Sequence, residues 1–268
     1  MPSSPLAFRD LVLQYWQRCQ EQVALPSPAG QLALYGMAHY ALLPRDAGLL
    51  LECRRPLLPL LRGDKAGATP GAMGGAGAAL MLWRGELPEA SLSLRQQVEL
   101  MLDQAKRDRY QLICDPTDDG SERIVLDNCA SYSPLLLFAG LACGITEWVD
   151  EAIHQTLGRL HLLHNSGTGL CHQGVNFYAP GRLTGDYWSR SNGLALLALT
   201  DLLAALPDDH LRYDDCECAW FELALACLQY QGPSDLWHLD LTDHRTPPES
   251  SGSGLILYCL GTGLLRDW

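Results

Sequence analysis

The stretch Trp188-Ser189-Arg190-Ser191-Asn192-Gly193 ends a long polar loop, Ser166–Tyr187, and opens an apolar helix. That helix, predicted over Ser189–Leu206, carries apolar side chains on nearly every side. A helix of this kind is expected to be buried all round. Its polar start and apolar body predict that a functional residue cluster lies where the loop meets the helix.

Two further long polar loops run into apolar helices in the same way. They are Asp115–Leu126, which leads into Asp127–Pro134, and Gly232–Pro248, which leads into Glu249–Gly254. The connections on the other side are short, as at Cys143–Thr146. Helices that are joined alternately by long and short loops place all the long loops on one face, where a site is expected.

Apolar residues at helical spacing predict ten helices. The predicted helices are Leu6–Val23, Gln31–Leu43, Ala47–Leu61, Met73–Arg84, Leu94–Arg107, Asp127–Ala142, Glu147–Leu163, Ser189–Leu206, Tyr213–Tyr230 and Ser251–Leu265. Pro56 and Pro59 are expected to bend or shorten the third helix. No alternation of period two lasts long enough for a central sheet, although a short strand is expected within Leu170–Asn176.

Fully buried helices that alternate with amphipathic ones indicate an all-α fold. We expect an α/α toroid of helical hairpins that forms a single domain over residues 1–268, with the inner helices lining the middle. A simple orthogonal bundle is the alternative. The helices that begin near Asp127, Ser189 and Ser250 would then start at the same mouth, where their unpaired N–H groups favour an anion.

The composition excludes several classes of protein. The formal net charge is −12, and no cluster of basic residues forms a stripe, so no nucleic-acid partner is expected. No apolar run is long enough to span a membrane. The segment Met1–Pro5 lacks a basic region followed by an apolar stretch, so a cytoplasmic protein is expected.

The cysteines and histidines predict neither a cofactor nor a metal. Six cysteines stand singly among apolar residues and are expected to be reduced core side chains. They are Cys19, Cys53, Cys129, Cys143, Cys227 and Cys259. Cys216 and Cys218 form a C-x-C pair without a second pair at zinc spacing. His161 and His164 share a helix face without a nearby ligand motif.

Four segments from Asp127 onward carry a family resemblance. They are Asp127 followed by Pro134, the run Gly169-Leu170-Cys171-His172, the W-x-R-x-N-G pattern at Trp188–Gly193, and Leu236-Trp237-His238 followed by Glu249–Gly252. In this order and spacing they resemble the unsaturated glycuronyl and rhamnogalacturonyl hydrolases of glycoside hydrolase families 88 and 105. The resemblance implies a six-hairpin α/α toroid and a glycosidase that takes a small oligosaccharide.

The chain departs from the family pattern at several positions. The segment Ala66–Gly71 lacks the carboxylate that the family has near its fourth helix, and Asp64 lies two residues away. Leu194 follows Gly193 where the family commonly has Trp. The chain ends at Trp268, after the tenth predicted helix, so we expect about five hairpins instead of six. An exposed apolar seam between the first and tenth helices, covered in a homodimer, is also expected.

The resemblance implies a role for Asp127 and for the positively charged Arg190. Asp127 would donate a proton to C4 of a C4=C5-unsaturated uronyl residue, water would add at C5, and the resulting hemiketal would open and release the remaining sugar. Arg190 would bind the uronate carboxylate. Without the resemblance, the alternative role for Asp127 is that of an N-cap for the helix that follows it. Asp186 and Glu249 are weaker acid candidates, and Glu249 with its serines is more typical of a helix-start cap.

The remaining site candidates each have a structural alternative. His172 would hydrogen-bond the sugar or orient water, or else cap a turn. Trp188 and Trp237 would stack on sugar faces, or else pack loops onto the core. Asn192 would bind a hydroxyl, or else tie its loop to the helix.

Two other functions remain open from the sequence. One is a catalytically degenerate toroid that binds a sugar or a protein. The other is a carbohydrate epimerase or lyase, and the lyase would need a Tyr or His base, for which Tyr132 and Tyr187 are the candidates.

Overall fold

The computed structural model describes residues 5–25, 27–43, 46–61, 75–115, 117–118 and 120–268. These residues form ten α-helices, as the apolar spacing predicts. The helices are α1 Pro5–Gln22, α2 Pro28–Leu42, α3 Ala47–Leu61, α4 Ala76–Trp83, α5 Ser91–Gln104, α6 Asn128–Cys143, α7 Thr146–Leu163, α8 Ser189–Ala205, α9 Tyr213–Gln229 and α10 Ser250–Leu265. A 3-10 turn at Pro88–Ala90 precedes α5. Asp64 and the segment Ala66–Gly71 lie outside the described residues.

One short antiparallel ribbon accompanies the helices. Strand β1 is Ile124–Val125 and strand β2 is Gly174–Val175, with Ile124 opposite Val175 and Val125 opposite Gly174. Strand β2 lies inside the segment where a short strand is predicted. The ribbon connects the two long loops that precede α6 and α8.

The predicted shortening of α3 is wrong, because the helix continues through Pro56 and Pro59 to Leu61. A proline inside a helix removes its own N–H from the hydrogen-bond ladder and crowds the carbonyl four residues before it. Leu49, Cys53 and Leu57 lie one turn apart and are all buried. The burial of this stripe holds the helix together despite the lost bonds.

The chain divides into two compact units. The first comprises residues 1–102 and 138–146, and the second comprises residues 103–137 and 147–268. A single domain over residues 1–268 stays a prediction. In the first unit, α2 packs against α3 and α4. A Cβ atom at Gly77 would lie 3.6 Å from the backbone of Leu34 and Tyr35, an ordinary contact distance, so α4 lies directly against α2.

The second unit is built around α8. This helix packs against α9 and α10, and every residue from Ser191 to Leu203 is buried. The prediction of a helix covered on all sides is therefore confirmed. In α7 the buried positions Trp148, Ala152, Thr156 and Leu163 recur at helical spacing, which confirms its amphipathic character.

Apolar side chains are exposed on α10, namely Leu257, Tyr258, Leu264 and Leu265. The predicted homodimer stays a prediction. No helix in the described part of the chain is long and apolar enough to cross a membrane.

The cysteines are all free thiols. Cys53, Cys129, Cys227 and Cys259 are buried as predicted, whereas Cys19 and Cys143 are partly exposed. Cys216 is buried and Cys218 is exposed, since the two lie on different faces of α9. Across the residues that the structure covers, no group of three metal-ligating side chains comes together.

His39 on α2 makes the first unit sensitive to acid. Burial, together with repulsion from Arg84, lowers the pKa of His39 to about 4. Because the folded pKa lies below the unfolded value, His39 contributes its full stability above about pH 6.5, and that stability is lost as the pH falls toward 4. The expected loss is about 3 kcal/mol at most, from about 1.4 kcal/mol for each pH unit of separation.

Thermal unfolding between pH 7 and pH 4 checks this expectation. His39→Gln should flatten the acid side of the stability curve, because glutamine cannot be charged. His161→Gln is the matched control, since His161 is an exposed histidine on α7. Equal acid sensitivity in the wild type and in His39→Gln would show that another group is responsible.

Candidate active site

The ribbon places Asp127 and His172 at the same end. Beyond the paired residues of β1 and β2, the Leu126 N–H donates to the Gln173 carbonyl over 2.9 Å. Asp127 follows Leu126 and His172 precedes Gln173, so both are the next residues beyond this hydrogen bond. Two side chains that are 45 positions apart in sequence therefore extend from one end of a short antiparallel ladder.

Backbone contacts hold the starts of α8 and α10 together. The Ser189 N–H donates to the Leu239 carbonyl over 3.0 Å, and the Ser189 hydroxyl lies 3.5 Å from Oε2 of Glu249. A Cβ atom at Gly252 would lie 2.4 Å from Oγ of Ser189, so only glycine permits this approach. With Arg190 reaching Asp127 beside α6, the predicted convergence of the three helix starts is observed.

Asp127 has the features of a reactive carboxylate. Its Oδ2 atom accepts from Nε of Arg190 over 3.4 Å, and its side chain is 28% exposed. Its Oδ1 atom is buried and has no hydrogen-bond partner among the described residues. Nor does any described backbone N–H donate to this carboxylate, so the geometry gives no support to the N-cap alternative.

Arg190 lies between Asp127 and Trp188. Its guanidinium carbon lies 5.1 Å from the centre of the Trp188 ring, and its side chain is 37% exposed. Within the described residues, its terminal nitrogens make no hydrogen bond. The guanidinium therefore presents donors to solvent beside the half-buried face of an aromatic ring.

His172 belongs to a small polar group with Asn165 and Tyr187. The His172 and Tyr187 rings lie 4.6 Å apart, and Nε2 of His172 is 3.4 Å from the Tyr187 hydroxyl. The Asn165 amide donates to that hydroxyl over 2.7 Å. Nδ1 of His172 is buried without a partner in the part of the chain that the structure describes. An unpartnered buried polar atom is uncommon in folded proteins and is often paired with an ordered water or an ion.

Two predicted contact residues are structural instead. The amide of Asn192 is fully buried, donates to the Cys171 and Trp188 carbonyls over 3.0 Å each, and accepts from the Cys171 N–H over 2.9 Å. Trp237 is also fully buried, and its Nε1 donates to the Cys227 carbonyl over 2.7 Å. The assignment of both to substrate binding is corrected, because their polar atoms and faces are already covered by protein.

Glu249 caps α10, as its sequence context predicts. Its carboxylate accepts from the Ser251 N–H over 3.0 Å and from the Gly252 N–H over 2.5 Å. Burial opposes the ionised form, but the hydrogen bonds from the Ser251 hydroxyl and from these two N–H groups outweigh it and lower the pKa of Glu249. A carboxylate that is occupied in this way is a poor proton donor.

Two charged residues near the site escape the sequence patterns. The carboxylate of Asp115 accepts from the side-chain amide of Asn128, the residue after Asp127, over 2.5 Å. Burial raises the pKa of Asp115. Arg159 is fully buried on α7 and donates to the Ile113 carbonyl over 2.7 Å. Its position on the apolar stripe of α7 is the one sequence signal that marks it as a core residue.

The tyrosines proposed as a lyase or epimerase base are poorly suited to that role. Burial raises the pKa of Tyr132 to about 12. Burial also raises the pKa of Tyr187. Both phenols therefore stay protonated near neutral pH.

Comparisons with known proteins identify a family match over slightly more than half of the chain. The sequence profile described as Glycosyl Hydrolase Family 88 matches residues 126–268, which begin directly before Asp127. The unsaturated rhamnogalacturonyl hydrolase YesR of Bacillus subtilis (strain 168) is 26% identical over 114 residues. That alignment covers 42% of this chain and 33% of YesR, so the chain matches about a third of the length of this relative.

Solved structures show the same fold at low sequence identity. A family 105 glycoside hydrolase from C. acetobutylicum ATCC 824 has a TM-score of 0.79 at 18% identity, over 92% of this chain and 74% of that one. The unsaturated glucuronyl hydrolase of Bacillus sp. GL1 has a TM-score of 0.68 at 15% identity, over 90% and 67%. The likeness establishes the all-α fold class of α/α toroid type, and the number of hairpins stays a prediction. Since the family profile covers more than half of its length, the chain belongs to glycoside hydrolase family 88.

Proposed function

We propose that this protein removes a C4=C5-unsaturated uronyl residue from the end of a lyase-generated oligosaccharide. The observation that carries the proposal is the carboxylate of Asp127. It lies beside Arg190, has one buried oxygen without a described partner, and stands where three helices begin. A site with one available acid suits a reaction that needs only one.

In the proposed reaction, Asp127 donates its proton to C4 of the unsaturated ring. The enol-ether oxygen stabilises the positive charge that develops at C5, and a water molecule adds there as Asp127 takes up a proton. The product is a hemiketal, which opens and releases the sugar on the aglycone side. The glycosidic bond therefore breaks without a second carboxylate and without attack at the anomeric carbon.

The neighbours of Asp127 have complementary roles in this proposal. Arg190 would bind the uronate carboxylate with the terminal donors of its guanidinium, and Trp188 would support the sugar face. His172, beside the Tyr187 hydroxyl, would hydrogen-bond the sugar or orient the attacking water. Trp237 and Asn192 hold the surrounding loops and are left out of the contact set.

The relatives favour a pectin or rhamnogalacturonan fragment as substrate. YesR is named as an unsaturated rhamnogalacturonyl hydrolase, and its similarity to this chain over 114 residues supports a substrate of that class. The test follows the ultraviolet absorbance of the C4=C5 uronyl group while purified protein acts on unsaturated disaccharides from pectin and from glycosaminoglycans. Loss of absorbance on the pectic substrate is expected. No loss on any of them, from folded protein, would instead indicate a domain that binds without catalysing.

Arg190→Ala should weaken substrate binding more than it slows the chemical step. A charge-assisted hydrogen bond contributes about 1.5–3 kcal/mol, so KM is expected to rise about 10- to 100-fold. Steady-state kinetics on the pectic disaccharide measure this change. Arg245→Ala is the matched control, since that arginine is 91% exposed in an ion pair with Asp243. An unchanged KM in Arg190→Ala would remove Arg190 from the proposed site.

A further inference from the structure

One face of the β1–β2 ribbon runs from Asp127, at one end of the ribbon, to Arg123 at the other end. Ile124 and Leu126 are fully buried, whereas Arg123, Val125 and Asp127 are only half-buried. Side chains alternate along a strand, so these three half-buried residues share one face. We call it the open face, defined by Arg123, Val125 and Asp127.

An aromatic ring lies on the open face. Gly174 is directly opposite Val125, and residues directly opposite in an antiparallel pair point to the same side. A Cβ atom at Gly174 would lie 2.6 Å from Cε2 of Phe177, so the Phe177 ring covers this glycine. The guanidinium carbon of Arg123 lies 5.4 Å from the centre of that ring. Because glycine has no side chain, Gly174 makes room for the Phe177 ring on the open face.

The loop after Phe177 is held in a defined conformation. Asn176 adopts a positive φ of 68°, donates to the Glu122 carbonyl over 2.5 Å and accepts from the Gly181 N–H over 2.6 Å. These bonds fix the ribbon tip, which we define as residues 176–182. The tip is thus an ordered platform beside the open face.

A second aromatic ring stands on the ribbon tip. Tyr178 is 72% exposed, and the guanidinium carbon of Arg182 lies 5.6 Å from the centre of its ring. Tyr178 and Phe177 line a cavity of about 400 Å³ together with Ser121, Glu122 and Pro180. A ring that is mostly exposed contributes little to the core, while its flat surface and polar surroundings are suited to a ligand.

We propose that Phe177 and Tyr178 form a saccharide-binding surface for the aglycone side of the substrate. Pyranose rings that follow the unsaturated residue would lie along the open face, stack on the two aromatic rings and hydrogen-bond the polar rim. The proposal rests on the proposed function, because it takes Asp127 as the place where the unsaturated end is bound.

The dimensions and charges indicate which substrates use this surface. From Asp127 to Arg123 the strand rises four residues, or about 13 Å. A disaccharide held at Asp127 is too short to occupy the whole surface, so a longer oligosaccharide is needed. Arg182 adds a positive charge beside the exposed Tyr178 ring, which favours a chain that carries uronate groups.

The test compares a pectic disaccharide and a pectic tetrasaccharide that have the same unsaturated end. In the wild type, kcat/KM is expected to be higher for the tetrasaccharide. Tyr178→Ala should lower kcat/KM for the tetrasaccharide about three- to tenfold, the equivalent of about 0.5–1.5 kcal/mol for one aromatic contact, and leave the disaccharide unchanged. Tyr110→Ala is the matched control, because Tyr110 is another exposed tyrosine with an arginine, Arg109, 4.6 Å over its ring.

Two kinetic results would overturn the proposal. One is an equal loss on both substrates, which would mean that Tyr178 acts on the fold or on the Asp127 end. The other is no loss on either substrate.

If neither substrate is hydrated, calorimetric titration with the same two oligosaccharides decides the question separately from catalysis. Tighter binding of the tetrasaccharide that is lost in Tyr178→Ala would support the surface. Equal affinity for both lengths would refute it.

Discussion

Asp127→Asn is expected to lower kcat on an unsaturated pectic disaccharide by about 10²- to 10⁴-fold, the range for loss of a positioned general acid. Asparagine has nearly the same shape and keeps an oxygen that can accept from Arg190, but it has no proton to give to C4. KM should change little, because the contact between Arg190 and the uronate does not require the Asp127 charge. The measurement is the initial rate of loss of ultraviolet absorbance at saturating substrate.

The control for this substitution is Asp209→Asn. Asp209 is an exposed aspartate in the turn between α8 and α9, far in sequence from the helix starts that carry the site. It should keep wild-type kcat. If Asp127→Asn retained most of its activity in a folded protein, the acid would have to be sought elsewhere, with Asp115 as the next candidate because burial raises its pKa.

Trp237→Ala is expected to cause the largest loss of stability in the second unit, about 3–5 kcal/mol, as for other buried tryptophans. The ring is fully buried, and its Nε1–H donates to the Cys227 carbonyl at the end of α9. Alanine would leave a cavity and remove one of two hydrogen bonds to that carbonyl, which also accepts from the Tyr230 N–H over 3.1 Å. Chemical denaturation followed by circular dichroism gives the free energy of unfolding.

Two companion variants separate packing from substrate contact at the tryptophans. Trp237→Phe fills most of the cavity but loses the hydrogen bond, so it should cost only about 1–3 kcal/mol. Trp188→Ala removes a half-buried ring and should cost less stability than Trp237→Ala while raising KM. A loss below about 1 kcal/mol in Trp237→Ala would contradict the buried packing.

The sequence predicts the helices and the convergence of three helix starts well. The apolar residues of α8 repeat without a polar side, and burial on all sides follows from that pattern. The polar residues at the starts of α6, α8 and α10 mark where the loops end, and the structure brings those starts together. Helical periodicity and helix-start chemistry are local, so one chain is enough to detect them.

Which aromatic residues are buried in the core and which are exposed to a ligand is harder to predict. Trp188 ends one polar loop and Trp237 lies within another, yet Trp188 is half-exposed and Trp237 is in the core. Phe177 and Tyr178 carry no motif, and their position depends on the pairing of β2 with β1. Whether an aromatic ring faces solvent or protein depends on contacts distant in sequence, and local patterns do not contain those contacts.

The buried charges escape prediction for the same reason. Arg159 lies on the apolar stripe of α7, where a charged residue is uncommon. One of its partners, the Ile113 carbonyl, is 46 positions away in the loop before α6. Asp115 likewise gains its importance from the Asn128 amide, which only the folded chain places beside it.

The backbone bonds around α8 have a consequence for how this site can change over evolutionary time. The Leu239 and Tyr187 carbonyls accept from Ser189 and Leu241, so the loops at Arg190 are tied to each other before any ligand arrives. Little conformational entropy remains to be lost when a sugar binds there, and a mutation that alters one loop disturbs the others. The ribbon tip is more independent, and several of its side chains are exposed. We therefore expect homologues to acquire new preferences for chain length and composition through substitutions in residues 176–182, while the surroundings of Asp127 drift slowly.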